Sequence, residues 1–248
     1  MVTEGFEDGR ENAAPVARLA PGQRVYAIGD VHGCDDRLAA LHQAILDDLA
    51  ARPVVAPQLV HLGDYVDRGP DSAAVMARLM GPPPGGLATT HLIGNHETMM
   101  LAAMRQSGAA ALDWLDNGGD AALRSWGLSP LAPARDWRGG LPRAVPGFIE
   151  KLPRLHRVGA YVFVHAGLRP GVALAGQQER DMLWIRQPFL DWDEALGVGE
   201  AVVVVHGHTP TPEPVVRAHR IGVDTGACMG GRLTAAVLEG DDVRFLQV

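Results

Sequence analysis

Five times along this chain an apolar run stops at or beside a glycine, and a side chain suited to metal ligation follows. Val25-Tyr26-Ala27-Ile28 leads into Gly29-Asp30-Val31-His32-Gly33, and Leu59-Val60-His61-Leu62 into Gly63-Asp64-Tyr65-Val66-Asp67-Arg68-Gly69. His91-Leu92-Ile93 leads into Gly94-Asn95-His96-Glu97, Ala160-Tyr161-Val162-Phe163 into Val164-His165-Ala166-Gly167, and Ala201 to Val205 into His206-Gly207-His208-Thr209. Asp and Gly dominate ordinary turns, so one such segment decides nothing. The recurrence does decide something. Ligands of α/β sheets bind in the crevice outside the carboxyl ends of the strands, and five ends carrying Asp, His and Asn would meet there. Asp offers hard oxygens to a divalent cation, and Arg offers a two-pronged fork to phosphate.

Between these strand ends lie helical patterns. Leu38, Leu41, Ile45 and Leu49 are spaced for a helix over Asp35 to Ala51; further helices are expected from Asp71 to Met80 and from Glu97 to Arg105. Met99, Met100 and Met104 read as core residues of the last one. The second half is richer in strands: Ala160 to Val164, Ala201 to Val205, Arg220 to Val223, Arg232 to Leu238 and Val243 to Val248. Leu128 to Gly147, rich in Pro, Gly and Arg, reads as a loop region beside the site. A chain of 248 residues fits one α/β domain over 22–248. Residues 1–21 carry four acidic groups and no apolar core; they are expected to be a disordered tail, not a secretory signal.

The net charge of −7 argues against a nucleic-acid polymer or an anionic membrane as partner. No apolar run approaches the ~20 residues needed to cross a bilayer. Two cysteines, Cys34 and Cys228, cannot make a disulfide framework, so reduced thiols and a cytoplasmic location are expected.

The ordered motifs GDVHG, GDYVDRG, GNHE, VHAG and GHT, with WLDNGG from Trp114, Leu183-Trp184-Ile185-Arg186 and Val223-Asp224-Thr225-Gly226-Ala227, resemble metallophosphoesterases of the phosphoprotein phosphatase type. The nearest likeness is to small bacterial and phage Ser/Thr protein phosphatases, and it runs from about Val25 to the C-terminus. It implies a calcineurin-like sandwich: two mixed β-sheets flanked by helices.

The resemblance also implies a site. Asp30, His32 and Asp64 would bind a first divalent metal. Asp64 would bridge to a second, completed by Asn95, His165 and His208. Manganese is the expected metal, with iron or zinc as alternatives. Arg68 and Arg186, with Asn95, match the family's phosphate-binding groups; His96 matches its general acid and Asp67 the group that orients it. The implied reaction is direct attack of metal-bound hydroxide on a phosphomonoester, phosphoserine or phosphothreonine in a protein. Dinucleoside polyphosphate hydrolases such as those acting on diadenosine tetraphosphate share the motifs and are the alternative. Most of them carry GNHD, so Glu97 favours the first reading. A non-catalytic metal-binding scaffold would have lost a ligand or the acid, and here all are present. The substrate is expected to be a phosphoprotein or a small phosphoester, with no obligate protein partner. One departure is Ile93, where many relatives carry Arg.

The other histidines have plainer readings. His42, His61, His91, His156 and His219 are assigned as structural or surface residues. His206 is read as a neighbour that supports His208, Asp224 as a partner of a ligand histidine, and Glu97 as a cap on the helix that follows it.

Overall fold

In the computed structural model, which describes residues 17–105 and 108–248, β1 (Gln23–Ile28) lies at the centre of a five-stranded sheet ordered β10-β9-β1-β2-β3. The flanking strands are β2 (Ala56–His61), β3 (Ala88–His91), β9 (Thr234–Glu239) and β10 (Asp242–Gln247). β1 is apolar at successive positions because both of its faces are covered. Tyr26 and Ile28 pack toward the helices, while Val25 and Ala27 pack toward a second sheet. That sheet, ordered β4-β5-β6-β8-β7, comprises β4 (Leu155–Val158), β5 (Tyr161–Val164), β6 (Val203–His206), β7 (Val215–Val216) and β8 (Arg220–Gly222). Phe163, Val205 and Ile221 from it meet Val60, Leu62 and Ala236 from the first sheet.

The register brings the strand ends level. β1, β2 and β3 are mutually parallel, pairing Ile28 with His61 and His61 with His91, so the turns that follow leave from one edge. β5, β6 and β8 are parallel in the second sheet, with Phe163 opposite Val205 and His206 opposite Gly222. The Gly207 N–H donates to the His165 carbonyl, which ties those two turns together.

Over the outer face of the first sheet lie α1 (Asp35–Ala51), α2 (Ser72–Met80), α3 (Asn95–Arg105), α4 (Ala109–Trp114), α5 (Asp120–Ser125), α6 (Ala134–Gly140) and α7 (Ala144–Ile149). The outer face of the second sheet is covered by α8 (Glu179–Trp184) and irregular chain around Leu168, Phe189 and Leu196. The helical layer there is thin.

Three expectations need correction. The region 128–147 is not a loop: α6 and α7 occupy it, and Trp137, Leu141 and Val145 are buried. Each helix is under two turns, α6 following Pro133 and ending at Gly140 and α7 containing Pro146 and Gly147, too short to show a period. The boundary of the expected tail also moves. Ala17 and Leu19 are buried against the second core, and the Leu19 N–H donates to the Gly240 carbonyl. Residues 1–16 lie outside the described residues. Finally, α3 starts at Asn95, so the GNHE motif is its first turn. Among the described residues no helix is long and apolar enough to cross a membrane.

Candidate active site

The turn after β2 supplies Asp64, Asp67 and Arg68, and Glu97 from the first turn of α3 holds it. The Glu97 carboxylate is fully buried and takes four main-chain N–H groups: Asp64 and Gly94 on Oε2, both at 2.9 Å, and Tyr65 and Val66 on Oε1 at 2.7 and 3.2 Å. The expected capping role is present in the bond from Gly94. The other three bonds, which fix the neighbouring turn, were not foreseen. Gly94 is glycine for a spatial reason: a Cβ there would collide with Asp64.

Arg68 is held by WLDNGG. The Arg68 N–H donates to the Gly118 carbonyl at 3.0 Å, and Gly118, at φ 99°, lies so close that a Cβ would approach Arg68 Cγ to 2.8 Å. The same segment supplies Trp114, whose Nε1–H donates to both Asp67 oxygens at 2.9 Å. Asp67 Oδ2 in turn accepts from His96 Nδ1 at 2.8 Å. Trp114 packs edge-on against Trp137 of α6, which links that helix to the site.

His32 Nδ1 donates to the Val66 carbonyl at 2.8 Å, so its Nε2 carries a lone pair, and Arg68 Nη1 donates to it at 2.9 Å. His32 Nε2 lies 3.5 Å and His96 Nε2 3.9 Å from Asp64 Oδ2. His165 Nδ1 is likewise committed to a carbonyl, that of Leu62, at 2.9 Å. Its Nε2 therefore faces other acceptors: Asn95 Oδ1 at 2.7 Å and Asp64 Oδ1 at 3.4 Å. His208 Nδ1 reaches the same Asn95 oxygen at 3.0 Å, while the His208 ring also bonds the Trp184 main chain.

Burial drives the charge states. It pushes Asp64 well above the carboxylate range, with the Glu97 charge adding to the effect, and it does the same to Asp30, helped by Asp224 and Asp64. It lowers His165 and His32 to about 3, the latter with help from Arg68, and holds His96 and His208 well below the ordinary imidazole value. Crowded carboxylates beside neutral imidazoles with outward lone pairs form a donor set that suits divalent cations. Among the described residues, two groups of side chains have ligand atoms within 4.8 Å of one another: His32, Asp64 and His96, and Asp64, His165 and His208. Asp64 belongs to both.

Of the expected metal ligands, Asp64, Asn95, His165 and His208 are thus in direct contact, and His32 joins them through Asp64. Asp30 is beside the site, with its carboxylate turned to the His208 N–H at 3.0 and 3.1 Å. Arg68, Arg186, His96 and Asn95 share one cavity of about 320 Å³ with Asp64, His208, Asn117, Trp184, Pro210 and Met229.

Two supporting assignments change. His206 does not back His208: its Nδ1 bonds the Gly207 carbonyl, its ring packs on Phe189, and it lines a separate cavity with Arg220. β6 ends at His206, so the alternation that would put both rings on one side stops there. Asp224 accepts the Gly226 N–H at 3.0 Å, and its charge acts on Asp30.

The family model for calcineurin-like phosphoesterases matches residues 23–244. Serine/threonine-protein phosphatase 1 of Salmonella typhimurium is 32% identical over 228 residues, covering 88% of this chain and 93% of that protein. Bis(5'-nucleosyl)-tetraphosphatase PrpE [asymmetrical] of Bacillus velezensis is 28% identical over 228 residues, covering 84% and 86%. Among solved structures, one described as a candidate diadenosine tetraphosphatase superposes with TM-score 0.62 at 23% identity, covering 94% of this chain and 95% of the other. The arrangement of strand-end ligands and the match over nearly the whole domain lead to one conclusion: the chain belongs to the calcineurin-like phosphoesterase family and is a metal-binding hydrolase of phosphoesters.

Proposed function

We propose that the enzyme hydrolyses phosphoserine and phosphothreonine in proteins, using two divalent cations, manganese in the first instance. The observation that carries this reading is the meeting in one open cavity of two arginines, His96 with Asp67 behind it, and the cluster of candidate ligand atoms around Asp64. Asp30, His32 and Asp64 would hold one cation, and Asp64, Asn95, His165 and His208 the other. Bound there, the pair would polarise the phosphoryl group and acidify water. The protein supplies the rest. Arg68 and Arg186 grip the phosphoryl oxygens and set the line of displacement. Asp67 accepts the Nδ1 proton of His96, which leaves the Nε2 lone pair directed at the cavity; there it would take up the proton released by the attacking water and pass it to the departing serine or threonine oxygen. Trp114 fixes Asp67, so the imidazole has one orientation. No residue is needed as a covalent nucleophile.

Similarity to Salmonella typhimurium serine/threonine-protein phosphatase 1 along nearly its full length supports the protein substrate. Similarity to the Bacillus velezensis tetraphosphatase supports a second reading, hydrolysis of a dinucleoside polyphosphate. A parallel assay with Mn²⁺ separates them. Phosphoserine peptides should be turned over with the larger kcat/KM; a larger value for diadenosine tetraphosphate would replace the first reading with the second.

A further inference from the structure

Arg180 and Trp184 lie one turn apart on α8, so their side chains leave from the same face. That face borders a cavity of about 450 Å³ lined by Arg169, Arg180, Asp181, Trp184 and Arg186 among others. Trp184 and Arg186 also line the cavity that holds the candidate catalytic groups, so the two spaces share a wall. The charges in the second cavity are uneven. Arg169 is matched by Asp181 through two bonds of 2.7 and 2.6 Å. The guanidinium groups of Arg180 and Arg186 have no ion-pair or hydrogen-bond partner among the described residues, although the Arg186 charge acts on Asp224. Two net positive charges therefore stand open beside the active site of a chain whose net charge is −7. Between them Trp184 is 43% exposed, one of few large apolar side chains at the surface.

We propose that this second cavity is a substrate subsite for an acidic side chain, a carboxylate or a second phosphate, that flanks the phosphoserine of a peptide. The proposal rests on the protein-phosphatase reading. With the scissile phosphate against Arg68 and Arg186, the peptide crosses the exposed face of Trp184 and places its acidic group on Arg180. An unpaired guanidinium donates two parallel N–H bonds to such a group, and the apolar plane between the two anion positions suits the intervening chain. Arg180 is then a specificity residue, not a catalytic one.

The test uses wild type, Arg180→Ala and Arg180→Glu, with phosphoserine peptides flanked by Glu, Ala or Lys. The readouts are kcat/KM and the Ki of each peptide against p-nitrophenyl phosphate hydrolysis. Wild type should favour the Glu peptide over the Ala peptide roughly two- to fivefold, as expected of a charge-assisted pair at an exposed arginine. Arg180→Ala should bring that ratio to about one, and Arg180→Glu should favour the Lys peptide. A wild-type ratio of one, or a ratio that neither variant moves, overturns the subsite. If p-nitrophenyl phosphate is cleaved and no peptide is, the protein-phosphatase reading fails; the Ki ratios then decide the subsite alone, by the same criteria. If Arg180→Glu weakens diadenosine tetraphosphate but no peptide, the occupant is a nucleotide phosphate and the peptide proposal is overturned.

Discussion

Replacing Glu97 with Gln changes one oxygen to an NH₂ and little else in size, yet it strikes the group that four buried N–H donors depend on. A glutamine carbonyl can satisfy two of the four; its NH₂ would face the other two donor to donor. Hydrogen bonds to charged groups contribute about 1.5–3 kcal/mol each, so two lost bonds cost about 3–6 kcal/mol. Part of this is offset because the Glu97 charge repels Asp64 and Asp67, both pushed upward by it. A net loss of about 3 kcal/mol is expected, a large share of the about 5–15 kcal/mol that holds a typical domain. Urea unfolding in the presence of a chelator measures it, because metal binding then cannot mask the change. Glu97→Asp, which keeps the charge but shortens the reach, should lie between the two. Activity should fall as well, since either pair of bonds that fails, that of Asp64 and Gly94 or that of Tyr65 and Val66, holds the turn that carries Asp64. A Glu97→Gln protein within about 1 kcal/mol of wild type, with ordinary metal content, would refute the claim that this carboxylate organises the turn.

Four further outcomes follow from the site. His96→Asn should slow phosphoserine peptides by ~10²–10⁴-fold but p-nitrophenyl phosphate far less, because a stable phenolate needs no proton; equal losses accompanied by lost metal on elemental analysis would make His96 a ligand with His32 and Asp64 instead. Asp64→Asn should reduce bound metal at both positions, and near-normal metal content in that variant would remove Asp64 from the bridge. Arg186→Lys should still impair turnover, since an ammonium cannot supply two parallel bonds; wild-type kinetics would show that charge alone suffices. Stability should fall with acid through the cluster of the buried His42 and His61 with the half-buried His91. Burial lowers His42 and His91 to about 4, so the unfolded chain takes protons first: the contribution is whole above pH ~6.5 and lost toward pH ~4, by up to about 3 kcal/mol for each group. Unfolding measured across that range should show a shallower loss in His42→Asn, and an equal slope would clear the cluster.

The ligand side chains could be read from the sequence because each stands where a run of apolar residues stops, and strand ends in a layered α/β domain share an edge. What holds those side chains was much less legible. Glu97 looked like an ordinary residue of a helical first turn; its bonds to Asp64, Tyr65 and Val66 exist only because the parallel register sets β2 beside β3. Trp114 belonged to a recognisable motif, but its bond to Asp67 spans 47 residues of sequence. His206 misled because a period of two was carried past the end of its strand. β4, from Leu155 to Val158, mixes His and Arg with apolar residues at a half-covered edge of its sheet and gave no strand signal. Local chemistry marked the site, whereas its supports are long-range and depend on topology.

Backbone strain follows the same division. Among the described residues, the non-glycine residues with positive φ are His32 at 43°, Asp64 at 53°, Asp67 at 73°, Arg68 at 65° and His208 at 64°, all of them candidate site residues. Such a conformation costs of the order of 1–3 kcal/mol per residue and persists only where its surroundings over-determine it. Here each of the five has its own N–H held by a group from elsewhere. The Asp64 carbonyl takes that of His32, Glu97 that of Asp64, the Ser72 hydroxyl that of Asp67, the Gly118 carbonyl that of Arg68, and Asp30 that of His208. The left-handed turns are what let a chain leaving a strand point its side chains back over the sheet edge. Glu97, Ser72 and the glycines of WLDNGG therefore act on the chemistry at one remove: without them the ligand residues would keep their identities and lose their direction.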